Sequence, residues 1–191
     1  MGRPFAIDGR TRNVLLIGQG PGLAALLLVA REAAAKGCAV TLLAGAVEGS
    51  FQLPPFLLPS EVEYQSTIGS VTDLLVGANV PPLAEDRHGD TEKRKDRSVT
   101  LSPCHLVTGS SLHPIAWADQ VYAALPDDLV APLREAIRSV KYRWERGFAS
   151  VLLEGPIVCG VGACGVCTIA LRKGPRTLCH DGPVFDLRDV I

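Results

Sequence analysis

Aromatic side chains, methionine and net charge are all scarce in this chain of 191 residues. Phe, Trp and Tyr make up 5 %, there is one Met, and 19 Lys and Arg face 20 Asp and Glu for a formal charge of −1. Near-neutrality removes the electrostatic case for binding nucleic acid or an anionic membrane. Few aromatics means few platforms on which single-stranded bases could stack. Long apolar runs are also missing. The most apolar stretch, Val14 to Ala30, is broken by Gly18, Gln19, Gly20, Pro21 and Gly22 and stopped by Arg31 and Glu32. It falls short of the roughly 20 apolar residues that span a bilayer, so no membrane insertion is expected. The opening residues MGRPFAIDGRTRN hold no apolar segment of the kind that marks a secretory leader. A cytoplasmic, reducing location is the expectation. No internal repeat is visible.

What is present begins with a 47 % hydrophobic content. It suits one medium domain with a small appendage, large enough to be stable without disulfides. Four of the six cysteines sit close together: Cys159, Cys164 and Cys167 in CGVGACGVC, then Cys179 in LCHDGPVF. The spacing C-x4-C-x2-C-x11-C suits thiolates that hold an iron–sulfur cluster. Gly160, Gly162 and Gly165 let the loop turn sharply and aim backbone N–H groups at sulfur. Structural zinc is the first alternative, although its knuckles usually read C-x2-C twice. A redox pair of Cys164 with Cys167 is the second. A Rieske-type role for His180 would need a second histidine at suitable spacing, so a surface or supporting position is expected. Cys38 and Cys104, each alone in apolar surroundings, read as buried, inert thiols.

Along the chain, Asn13–Gly18 and Cys38–Ala44 read as buried parallel strands joined by a helix that closes on Gly37, a β–α–β unit. Glu61–Tyr64 suggests a third strand and Ser70–Val76 a short helix. The stretch from Gly77 to Ser98 is polar and mixed in charge, and reads as a solvated loop. Gln120–Ala124 reads as a strand, followed by a helix from Pro126 to about Arg146 with Asp127 and Asp128 in its first turn. Ala149–Glu154 is a further strand leading into the cysteine loop. Thr168–Arg172 and Thr177–Leu178 form a hairpin about a turn at Lys173–Pro175, which returns Cys179 to the other cysteines. The expected fold class is α/β: a Rossmann-like parallel sheet over residues 13–150 with a small cluster-binding domain over 151–191.

Gly18-Gln19-Gly20-Pro21-Gly22 joins the first strand to the first helix, the context in which glycines let a pyrophosphate approach a helix N-terminus. Gly18, Gly20, Pro21 and Gly22 are therefore candidate nucleotide-binding residues. The pattern is G-x-G-P-G rather than G-x-G-x-x-G, and Glu48 is a displaced ribose partner. A packing turn that binds nothing is the competing reading.

Together, GQGPG, the strand before the cysteines and CGVGACGVC…C…DGPVF resemble the electron-transfer subunit of type B dihydroorotate dehydrogenase, in the ferredoxin–NADP reductase superfamily. The resemblance covers nearly the whole chain and is strongest from Cys159 to Phe185. It implies a [2Fe–2S] cluster on Cys159, Cys164, Cys167 and Cys179, carrying electrons between an FAD and the FMN of a partner catalytic subunit. That partner oxidises dihydroorotate to orotate in pyrimidine synthesis, and NAD+ takes the electrons at the far end. Three departures stand out. The residues of this chain do not include the family's flavin-binding barrel, and residues 1–12 look like its last turn; a C-terminal fragment, a separately encoded barrel or a protein that uses no flavin are the alternatives. Ala123-Ala124-Leu125-Pro126 stands where the superfamily has C-G-P beside the nicotinamide. Val47 stands where the family often has arginine. Two other functions stay open: an NAD(P)-linked reductase module for another acceptor, and a non-catalytic, metal-stabilised docking module.

Overall fold

The computed structural model describes residues 2–46, 53–77 and 113–191. Its centre is strand β1 (Asn13–Gln19), in which every residue after Asn13 is buried. Alternate side chains of a strand point to opposite faces, and β1 feeds both. Val14 and Leu16 pack with helix α1 (Leu23–Ala35), through Leu23, Leu26 and Ala30. Leu15 and Ile17 enter the larger core on the other face. There they meet helix α2 (Val71–Gly77) through Val71 and Leu75, and a later helix, α4 (Asp127–Val140), through Val130, Leu133 and Ile137. The spacing of those three α4 residues is one helical stripe. Each fully buried aliphatic side chain contributes about 1.5–3 kcal/mol.

β1 pairs in parallel with β2 (Ala39–Ala46) on one side and β4 (Gln120–Ala124) on the other. β2 pairs in parallel with β3 (Val62–Ile68), and β4 with β5 (Ala149–Leu152). The last strand, β8 (Val184–Asp186), runs antiparallel to β5. The sheet order is β3-β2-β1-β4-β5-β8. The chain winds outward from β1 in one direction and then returns to wind outward from β4. The crevice at the carboxyl ends of β1 and β4 is therefore a topological switch point, where open α/β sheets bind ligands. The expected α/β class and parallel sheet are present. Among the described residues no helix is long and apolar enough to cross a membrane.

Several expectations need correction. Helix α4 ends at Val140, not near Arg146. Lys141 leaves helical geometry, donates from Nζ to Ala118 O at 2.9 Å and covers the Phe148 ring at 4.2 Å. Gly147, at φ +85°, then turns the chain into β5. Strand β3 runs on to Ile68, and a short helix α3 (Pro114–Trp117), capped by His113 Nδ1, precedes β4. D-G-P-V-F supplies β8, whose place in the main sheet the sequence did not suggest. Cys38 is half-buried rather than buried, its Sγ 3.4 Å from Thr11 O. Cys104, Val47, Glu48 and the polar stretch beyond Gly77 lie outside the described residues.

Candidate metal centre

After β5 the chain forms a loop to Cys167, then a two-stranded hairpin, β6 (Thr168–Leu171) and β7 (Gly174–Thr177), and a single helical turn, α5 (Leu178–Asp181). The hairpin returns the chain as its sequence suggests, but its turn is Arg172–Lys173, β7 already begins at Gly174 rather than Thr177, and Leu178 begins α5. Asp181 fixes that turn, accepting from Thr177 N at 2.9 Å and Thr177 Oγ1 at 3.1 Å. Its carboxyl lies below the usual range, chiefly because of the Thr177 N–H.

The four cysteines come together as two pairs. Cys167 and Cys179 are buried, with sulfurs 3.3 Å apart. Gly162 N donates to Cys179 Sγ at 3.1 Å. Cys159, half-buried, and Cys164, exposed, form the second pair, linked by a side-chain hydrogen bond. Backbone N–H groups of Cys164, Val161 and Ala163 point at Cys159 and, with the Cys164 thiol, pull its pKa down to about 6. In the inner pair, backbone hydrogen bonding at Cys179 lowers Cys167, while the hydrogen bond with Cys167 raises Cys179. Of the inner pair, Cys167 is thus the thiol that deprotonates more easily.

The loop manages this because Gly160, Gly162 and Gly165 sit at φ +72°, +77° and +70°, a region side chains disfavour. Donor set and backbone both fit a thiolate-bound cluster: four soft ligands, and N–H groups aimed at sulfur. Among the described residues, no three His, Cys, Asp or Glu side chains gather as ligands of a single metal ion. The grouping is two and two. His180 is on the surface, its Nδ1 3.5 Å from Asp181. Around the loop, Val158 is 73 % exposed, and Ile157, Val161 and Val166 are more than half exposed. Sequence reading missed this apolar rim because valines between cysteines look like filler.

The glycine turn behaves differently. Gly18, Gly20, Pro21 and Gly22 stand at the carboxyl end of β1, at the switch point. A methyl group on Gly18 would lie 2.4 Å from Leu23 Cδ2, so this glycine lets α1 pack on the strand. Gly20 is at φ +76° with open space above it. On Gly22 a methyl would lie 2.9 Å from Glu154 Oε1 and 3.0 Å from Ala124 Cβ. Glu154, which sequence reading passed over, therefore sets a carboxylate at the mouth of the turn. The N–H groups of Leu23, Ala24 and Ala25 already donate to Gly20 O, Pro21 O and Gly22 O, and Pro21 has none.

A parallel α/β sheet followed by a segment that gathers four cysteines defines the class. Residues 154–191 match the family model of the iron–sulfur cluster binding domain of dihydroorotate dehydrogenase B. The whole chain is 26 % identical over 194 residues to the electron transfer subunit of dihydroorotate dehydrogenase B (NAD(+)) of Shouchella clausii, covering 61 % of that protein. It is 25 % identical over 184 residues to the subunit of the same name from Caldanaerobacter subterraneus, covering 94 % of this chain and 60 % of that one. A 66-residue stretch, 35 % of this chain and 22 % of the relative, is 35 % identical to the sulfhydrogenase 1 subunit gamma of Pyrococcus furiosus. Among solved structures, the NADH-dependent reduced ferredoxin–NADP oxidoreductase shares the fold, with a TM-score of 0.65 at 22 % identity over all of this chain and 57 % of that one. The likeness to dihydroorotate dehydrogenase B electron transfer subunits thus extends along the whole chain, which spans about three fifths of their length.

Proposed function

We propose that this chain carries single electrons through a [2Fe–2S] cluster, as part of a dihydroorotate dehydrogenase B-type electron-transfer subunit serving pyrimidine synthesis in the cytoplasm. The observation that carries this reading is the grouping of the four thiols into two pairs within the segment that matches an iron–sulfur domain. A two-iron cluster needs two terminal thiolates on each iron. Cys159 with Cys164 would hold one iron, and Cys167 with Cys179 the other. When bound, the cluster supplies one-electron redox chemistry. The protein's own work is to hold the sulfurs deprotonated and to soften their charge. The N–H groups on Cys159 and that of Gly162 on Cys179 do this, and such hydrogen bonds favour the more negative, reduced state.

The natural division is a nucleotide-binding-type domain over 13–150 and a cluster domain over 151–191. The apolar rim of Ile157, Val158, Val161 and Val166 suits a partner face, here that of an FMN-containing catalytic subunit. FAD on a flavin-binding barrel and NAD at the switch point would complete the relay. Gly18, Gly20, Pro21 and Gly22 would face that NAD, with Glu154 weakening its phosphate contact. Iron and acid-labile sulfide analysis of anaerobically purified protein, with EPR after dithionite, tests the reading. Two irons, two sulfides and a signal from one unpaired electron are expected; zinc in place of iron would overturn it.

A further inference from the structure

Away from the cysteines and the glycine turn, the structure holds an open groove of about 590 Å³. Two of its walls come from the second half of α4, with Arg134 and Arg138, and from the turn that follows, with Tyr142, Arg143, Trp144 and Arg146. The other walls are the tip of the β6–β7 hairpin, with Arg172 and Lys173, and the C-terminal segment, with Arg188 and Asp189. This end of α4 leads into the start of β5, so the groove lies at the opposite end of the parallel strands from the switch point. In a chain whose net charge is −1, seven of 19 basic residues line this one groove; among the described residues Asp189 is the one carboxylate in its lining, with Glu135 beside Arg138 and Asp186 near Arg146.

The groove is oversupplied with donors. Asp189 is already used twice, bound by Arg146 through two hydrogen bonds of 2.6 and 3.0 Å and approached by Lys173 at 4.0 Å. Arg138 pairs with Glu135 at 2.9 Å, and Arg134 and Arg188 each reach one backbone carbonyl. Arg143 and Arg172 have no side-chain acceptor among the described residues. Two covered donors at the base of the walls, Arg134 Nε and Trp144 Nε1, have none either. Buried donors are almost always paired in native proteins. A concave surface of one sign focuses its field on counter-ions. Arginine forks match phosphate oxygens two at a time, and the volume lies in the range of small-molecule sites. Tyr142, 84 % exposed on the same wall, offers a ring face of the kind on which a base stacks.

We infer that this groove binds a phosphorylated small molecule of the nucleotide class, held by its phosphates on Arg143 and Arg172 with its base against Tyr142. The inference is independent of the cluster and of the glycine turn. Calorimetric titration of the full chain with ATP, AMP and pyrophosphate, at low and at moderate salt, tests it. One saturable site is expected, tighter for ATP than for AMP and weakened by salt. R143E with R172E should weaken ATP at least tenfold, the milder R143Q with R172Q at least threefold, and Y142A should weaken ATP but not pyrophosphate. R31Q, on helix α1 and outside the groove, should change nothing. Circular dichroism on each variant separates loss of binding from loss of fold. The inference is overturned if ATP fails to saturate, if both arginine pairs bind ATP as the parent does, or if R31Q weakens ATP as much as the arginine pairs do. It is also overturned if poly-glutamate binds through Arg143 and Arg172 while ATP and pyrophosphate do not, because the groove then receives an acidic protein.

Discussion

Two glycine-rich loops in this chain carry the same residue type for opposite reasons. In the cysteine loop, Gly160, Gly162 and Gly165 adopt positive φ so that backbone N–H groups turn inward onto sulfur. In the turn after β1, Gly18 and Gly22 are needed because a side chain would strike Leu23, Ala124 or Glu154. One loop spends its glycines on making donors available. The other spends them mainly on packing a helix against a strand, and its first-turn donors are already engaged. A run of glycines is thus evidence for a ligand only when the N–H groups it exposes have no other acceptor.

The largest effect should come from breaking the cysteine loop itself. Replacing Cys179 with serine removes a sulfur that meets both Cys167 and the Gly162 N–H, and should abolish visible absorbance and the EPR signal of reduced protein. C38S changes a half-buried thiol that packs on the α1-side core and hydrogen-bonds Thr11 O, and should leave both intact. Equal behaviour of the two variants would refute the ligand assignment.

The next pair separates the two uses of glycine. G18A forces a methyl group among Leu23 and Leu26, both buried. Overpacking of that kind costs about 1–3 kcal/mol, and each kcal/mol is about 2–4 °C in melting temperature for a chain of this size. Iron content of the folded protein should not change. G162A instead strains a left-handed residue, at about 1–2 kcal/mol, and crowds Thr177 Oγ1 at 3.3 Å. Its cost should appear as faster loss of iron to a chelator. Were G18A to lose iron and G162A only to melt earlier, the contrast between the loops would be wrong.

A smaller effect probes the turn's remaining capacity to bind. E154Q removes the carboxylate beside Gly22. At an exposed, screened position one unit charge is worth about 1 kcal/mol to a nearby phosphate, or about fivefold in affinity. NADH fluorescence titration should show that gain. If neither protein binds NADH, the turn is a packing element and nothing more.

Much of this contrast could be read from the residues alone. Runs such as NVLLIG and CAVTLLA announce buried strands because a central parallel strand has no polar face to show, and cysteine spacing announces a metal centre because ligand geometry is short-range. The end of α4 was not legible. Residues 141–146 have ordinary helical propensity, and it is the tertiary pull of Lys141 onto Ala118 and Phe148 that ends the helix. Strand β8 was missed because three residues after Gly182-Pro183 carry no periodic signal, and pairing with β5 decides their state. Glu154 and the basic groove escaped for a common reason: each is assembled from segments far apart in sequence.

The smallest expected effect belongs to Asp189, which ties the C-terminal segment to the turn after α4. Its carboxyl lies below the ordinary range, first because Arg146 donates to it and then through the charges of Arg146, Lys173 and Arg188. A carboxyl depressed in the folded state adds stability above its unfolded pKa of about 3.9, and that stability is lost as pH falls through the lower, folded value. Arg146 is half exposed, so solvent screens the pair and its contribution is small. Urea unfolding of D189N should therefore show a small loss at pH 7 and a smaller one at the lowest pH at which the parent stays folded, because the parent's Asp189 takes up a proton as pH falls. An equal loss at both pH values would mean that Asp189 acts through packing and not through charge. The same substitution frees Arg146 and Lys173, and so should tighten ATP in the groove while leaving the cysteine loop unaffected.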